Sequence, residues 1–273
     1  MTASSYRRVT AIEFQSSDVT NQKKIAMQIN YWQTFYEEGY YHFYNRSNGN
    51  APIFDNIDDC EDFLERFKNL ISPYCDTLAF CLMSNHFHFV LFFKPINETL
   101  RAYIEEDKTV AAQNFINDKT PFNDFIVAQF ARLFQGFSKY YNIKYDRVGN
   151  LFQKKFKRIQ QNTTENVISR ICYTHHNPIH HDAASFYDAY KNSSFLSFLS
   201  KNETIIAKKH TFYLFNEIEK VDINYSERYF ETGIFEYADN LDDTTRQFLN
   251  VHAAFHKEWL DKKRWADFDE MEE

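Results

Sequence analysis

His86 and His88 are the residues best placed for chemistry, in the run Leu82-Met83-Ser84-Asn85-His86-Phe87-His88-Phe89-Val90-Leu91. On a strand alternate side chains share a face, so the two histidines point one way and Phe87, Phe89 and Leu91 the other. Two adjacent imidazoles can hold one divalent ion. The plain alternative is two unrelated histidines on a solvent face. A second run, Arg170-Ile171-Cys172-Tyr173-Thr174-His175-His176-Asn177-Pro178, places Tyr173 and Asn177 at helical i and i+4, on one face. A phenol with a pKa of about 10 is a poor nucleophile. It becomes a useful one when the electrophile is polarised and held in line; otherwise Tyr173 is packing. A third run, Arg147 to Arg158, interleaves cations with Phe152 and Phe156. That mixture suits a phosphate backbone with stacked bases, or a solvated edge strand that resists aggregation.

These residues need elements to hold them. Tyr40 to Tyr44 suits a strand, followed by a turn cluster from Asn45 to Asn50. Asp58 to Ser72 has a helical apolar stripe at Phe63, Phe67, Leu70 and Ile71. Asp76 to Met83 and His86 to Lys94 are expected strands around the Ser84-Asn85 turn. Phe125 to Tyr141 is an expected helix, and Gly149 to Gln160 a basic strand or loop. Thr164 to His176 is expected to be helical, capped by Thr163 or Thr164. It should stop near Asn177, because proline disfavours helix at the residue before it. The order implies an α+β fold with helices on one face of a small antiparallel sheet. Residues 1–38 form a lead-in, expected to be helical or partly disordered, and 39–186 the domain that carries the candidate residues. Residues 187–273 form an acidic, mostly helical C-terminal extension.

The composition narrows the function classes. Five glycines in 273 residues, with no G-x-G-x-x-G and no G-x-x-x-x-G-K-[ST], exclude Rossmann and P-loop nucleotide sites. Four cysteines without a C-x-x-C pair disfavour a four-cysteine zinc site and are expected to be buried thiols. The 29 Phe and 18 Tyr are either core or stacking platforms, and composition favours core. The net charge of -7 argues against nucleic acid taken globally. Between Arg132 and Gln160, however, Asp146 is the only acid among eight basic residues, while acids gather from Asp239 to Glu273. No apolar run reaches membrane length and no signal peptide is readable, so the expected setting is cytoplasmic, with no membrane partner.

Taken in order, Tyr-His-Phe-Tyr-Asn-Arg, Leu-Met-Ser-Asn-His-Phe-His-Phe-Val-Leu, Arg-Val-Gly-Asn-Leu-Phe-Gln-Lys-Lys-Phe-Lys and Tyr-Thr-His-His-Asn-Pro resemble the REP-associated tyrosine transposases. These are single-tyrosine HUH endonucleases related to transposases of small insertion sequences. The resemblance spans about Tyr40 to His181. It implies a ferredoxin-like or RRM-like sheet with the histidines on a central strand and the tyrosine on a facing helix. It implies His86 and His88 as metal ligands, Asn177 completing the site, and Tyr173 as nucleophile. Lys155 stands where relatives usually carry arginine, and Phe137 where many have tyrosine, leaving Tyr140 and Tyr141 as nearby hydroxyls.

The implied activity is cleavage and strand transfer on hairpin-forming single-stranded DNA through a 5′-phosphotyrosyl intermediate. The cofactor would be Mg²⁺ or Mn²⁺. Arg46, Lys144, Arg147, Lys154, Lys155, Lys157 and Arg158 are the expected DNA contacts. The protein would act as a monomer or homodimer. A non-cleaving hairpin DNA or RNA binder and a small-phosphoester hydrolase remain as alternatives.

Overall fold

The computed structural model describes residues 30–49, 51–221 and 242–262. The expectation for residues 1–29, and residues 239–241 and 263–273 of the acidic tail, lie outside the described residues. Four strands, β1 (Tyr40–Arg46), β2 (Cys75–Leu82), β3 (His86–Phe93) and β4 (Lys157–Gln161), form one sheet in the order β2-β3-β1-β4. Every neighbouring pair is antiparallel. Helix α1 (Ile57–Leu70) connects β1 to β2, and α2 (Glu98–Glu106), α3 (Val110–Ile116) and α4 (Phe122–Lys144) connect β3 to β4. This is the ferredoxin-like βαββαβ order.

Period-2 alternation builds the first layer. Phe43, Phe87 and Phe89 are fully buried on the sheet face that α1 and α4 cover. Phe67 stacks on Phe89 with centroids 4.4 Å apart, and Phe130 on Phe43 at 4.3 Å. Each buried aromatic removes on the order of 150–250 Å² from water, which makes phenylalanine the main core material. An Asn56–Asp59 capping box starts α1. Helices α2 and α3 have too short an apolar pattern to be evident in the sequence.

The sheet's other face is covered as well. Helix α5 (Thr164–His180), capped by Thr163, lies on it. After it come a short 3₁₀ turn (Tyr187–Ala189), α6 (Phe195–Leu199), α7 (Lys208–Glu217) and α8 (Asp243–Lys262). So α1 and α4 form the expected helical layer, and α5 with the C-terminal helices forms a second one opposite. Helix α5 does not stop before Pro178 but runs to His180. A proline removes one backbone donor, and near the last turn that loss is small beside the burial of the whole segment from Ile171 to Ile179. The four cysteines are buried free thiols; burial pushes Cys60 and Cys75 up to about 12.

Candidate active site

Strand β3 carries His86 and His88 on the face toward α5, and α5 presents Tyr173 and Asn177 to them. His86 Nε2 lies 2.9 Å from Asn177 Oδ1, and His86 Nδ1 lies 2.7 Å from Asn85 Oδ1. The Tyr173 ring stands edge-on to His88, centroids 5.7 Å apart at 88°. Two residues separated from the β3 histidines by a long stretch of chain thus meet them, because one helical turn spaces Tyr173 from Asn177 and one pleat repeat spaces His86 from His88.

Behind His88 sits a residue that sequence reading missed. His42 Nε2 lies 3.0 Å from His88 Nδ1, and the two rings stack at 5.2 Å. His42 also meets Tyr173 edge-on at 6.0 Å. The available signal was positional: His42 alternates with the core residues Tyr41 and Phe43 on β1, next to β3. Arg170 was missed too. It lies one turn before Tyr173, with Cζ 6.0 Å from that ring. Burial lowers its pKa from the usual range, against the opposing pull of Tyr173 and Tyr44.

A cavity of about 370 Å³ opens beside the histidines, lined among others by Tyr44, Arg46, His86, His88, Lys157 and His181. Tyr173 is only 2% exposed and is not part of that lining. Its ring stands edge-on to both His42 and His88.

The donor chemistry can be tested against a metal ion. A neutral imidazole has one N–H, so His86 cannot donate to both amide oxygens. With His86 Nδ1–H donating to Asn85 Oδ1, His86 Nε2 and Asn177 Oδ1 face one another at 2.9 Å as two lone-pair donors, which a shared cation would satisfy. With His88 donating from Nδ1 to His42, the nitrogen His88 would turn to a metal ion is Nε2. Two imidazoles and a carboxamide oxygen are donors that Mg²⁺ or Mn²⁺ would accept. Among the described residues no group of three or more His, Cys, Asp or Glu side chains is placed to share an ion.

The expected DNA contacts divide. Arg46 and Lys157 line the cavity, and Lys154 and Lys155 are exposed in the loop before β4. The other three are not brought to the cavity. Lys144 donates to the buried Asp59 carboxylate at 2.7 Å, in a network with Tyr140 and Tyr145. Burial alone would raise Asp59, but hydrogen bonds from Lys144 and Tyr145 hold it below the usual carboxylate range. Arg147 contacts Asn142 and lies 5.7 Å over the Tyr141 ring. Arg158 is tied down by the Gln33 carbonyl and lies over Phe35 and Phe156. Tyr141, one of the two hydroxyls near the Phe137 departure, donates to Asp55, and burial together with this partner raises its pKa. The Lys144–Asp59 and Tyr141–Asp55 contacts tie α4 to α1 and the residues just before it, in the helical layer opposite the histidines.

Strand order and site together define an α+β protein with a ferredoxin-like sheet and a histidine-rich cavity under a crossing helix. Neither a protein-family model nor a curated protein matches the chain. Among solved structures it is similar to one described as the REP-associated tyrosine transposase bound to a REP hairpin. The TM-score is 0.42 at 12% identity, over 65% of this chain and 89% of the other.

Proposed function

We propose that this protein is a metal-dependent single-stranded DNA endonuclease and strand transferase with Tyr173 as nucleophile. The observation that supports it most is the pairing of α5 with β3: Tyr173 stands against His88 while Asn177, one turn on, meets His86 at 2.9 Å. The sequence resemblance to single-tyrosine HUH enzymes points the same way. His86, His88 and Asn177 would hold Mg²⁺ or Mn²⁺, which when bound supplies charge to stabilise the scissile phosphate's transition state. Arg46 and Lys157 would position the phosphates at the cavity. The Tyr173 oxygen attacks phosphorus and the P–O3′ bond breaks. The phenolic proton is lost and the leaving 3′-oxygen gains one, so a 5′-phosphotyrosyl link and a free 3′-OH replace one phosphodiester. That link conserves the bond for rejoining. Since Tyr173 is buried and does not line the cavity, attack requires its side chain to swing toward it.

The test is Tyr173→Phe on a labelled single strand carrying a hairpin. Covalent protein–DNA adducts, seen as a denaturation-resistant band, should vanish. Adducts that persist in the variant would move the nucleophile elsewhere. One observation favours a second reading, a hairpin-binding protein that does not cut: Tyr173 is only 2% exposed. It predicts metal-independent, salt-sensitive binding and no adduct in the wild-type chain.

A further inference from the structure

Trp32 is 48% exposed, although tryptophan is costly to leave in water. It is also rigidly supported. Arg158 N–H donates to Tyr31 O at 2.7 Å, Trp32 bridges Arg158, and Trp32 N–H donates to Asn30 Oδ1 at 2.9 Å. Three residues on, Phe35 is 1% exposed and anchors the segment in the core. The segment is therefore held to the outer edge of β4 and leaves the Trp32 ring in solvent, with the half-buried Tyr31 ring beside it.

Cations stand over those rings. Lys155 Nζ lies 5.2 Å from the Trp32 centroid, and Lys157 Nζ lies 5.0 Å from that of Tyr31. The same Lys157 ammonium lies 5.5 Å from the Tyr44 centroid, and Lys157 and Tyr44 both line the histidine cavity. One ammonium thus joins the outer aromatic pair to the cavity. Aromatic faces alternating with lysines match a strand of unpaired nucleotides, whose bases stack while their phosphates meet the cations. A duplex offers no free base faces, and an acidic peptide would use the lysines but not the rings.

We infer that Trp32 and Tyr31, with Lys155 and Lys157, form a stacking track for the unpaired bases of single-stranded DNA leading into the His86–His88 cavity. The track rests on the single-strand reading given above and adds where the strand runs.

The test measures anisotropy of a labelled oligothymidine against the wild-type chain, Trp32→Ala and Trp32→Phe. Loss of the indole should weaken binding on the order of ten- to a hundred-fold, and phenylalanine should restore most of it. An oligonucleotide of abasic sites should erase the difference between wild type and Trp32→Ala. Equal affinity for Trp32→Ala and wild type on oligothymidine would overturn the track. Adduct formation by the wild-type chain is scored separately. If it is absent while the Trp32 effect is present, the cleavage reading falls and the track stands. If adducts form and Trp32→Ala binds normally, the track falls alone. No binding of any single strand by the wild type would remove both.

Discussion

His88 is oriented by its neighbour. With Nδ1 engaged by His42 at 3.0 Å and the rings stacked, the imidazole can neither rotate nor change tautomer without losing that bond. Groups that fix a ligand histidine in this way typically contribute ten- to a hundred-fold in metal affinity. His42→Ala should therefore weaken Mn²⁺ binding by about that factor, read as free Mn²⁺ in an electron paramagnetic resonance titration. His42→Gln, which can still meet His88 Nδ1, should recover part of it. Unchanged Mn²⁺ affinity in His42→Ala would remove His42 from the site. A fall shared by both variants would mean that His42 packs the site rather than orienting it.

Helix α5 works on both sides. Tyr173 and Asn177 face the sheet, while His175 and His176 face α8. Hydrogen bonding fixes the tautomers along one chain. Phe80 N–H donates to Ser194 Oγ at 2.8 Å, whose hydroxyl donates to His175 Nε2 at 2.7 Å. His175 Nδ1–H donates to His252 Nε2 at 2.8 Å, and His252 Nδ1–H donates to Phe248 O at 2.8 Å. A proton on either ring would break this chain. Burial holds His175 well below its usual value, His252 down to about 3 and His176 down to about 2. The unfolded chain takes up these protons as pH falls through about 6.5 and the folded chain does not, so stability is complete above that pH and is lost below it. From pH 7.5 to 5.5 each such histidine should cost about 1.4 kcal/mol, or about 4 kcal/mol for the three. Denaturant melts at the two pH values check this. The lowered carboxylates Asp59, Asp76 and Asp107 titrate only at lower pH and leave this window to the histidines. Such tethers were not legible in the sequence, since His175 and His252 lie 77 residues apart. What was legible is local and periodic: the alternation that pairs His86 with His88, the helical stripe of α1, and the i, i+4 face of Tyr173 and Asn177. The burial of Tyr173 and the diversion of Lys144, Arg147 and Arg158 into packing depend on which faces meet, which no short-range pattern encodes.

Across the molecule the charge is -7, yet Arg46, Lys154, Lys155 and Lys157 gather at the cavity and the loop beside it. If these four are the phosphate contacts, log K for a single strand should fall with log salt at a slope of about -3, and Lys157→Ala should reduce that slope by about 0.7. A titration from low to high salt measures both. The same scale decides what the C-terminal extension is for. The segment from Asn192 to Ala207 runs along the open edge of β2: Leu82 N–H donates to Asn192 O, Ser194 N–H to Phe80 O and Ala207 N–H to Thr77 O, each at 2.9 Å. Phe198, Phe215 and Phe248 continue the buried core beyond α5. An uncovered strand edge is a template for aggregation, and an uncovered α5 would leave His175 without its partner. The extension and the sheet should therefore unfold in one transition, with tyrosine fluorescence and far-ultraviolet circular dichroism coincident. A chain ending at Phe186 should aggregate at concentrations where the full chain stays dispersed. Two separated transitions, with a dispersed and folded 39–186 fragment, would show that the β2 edge and α5 need no cover.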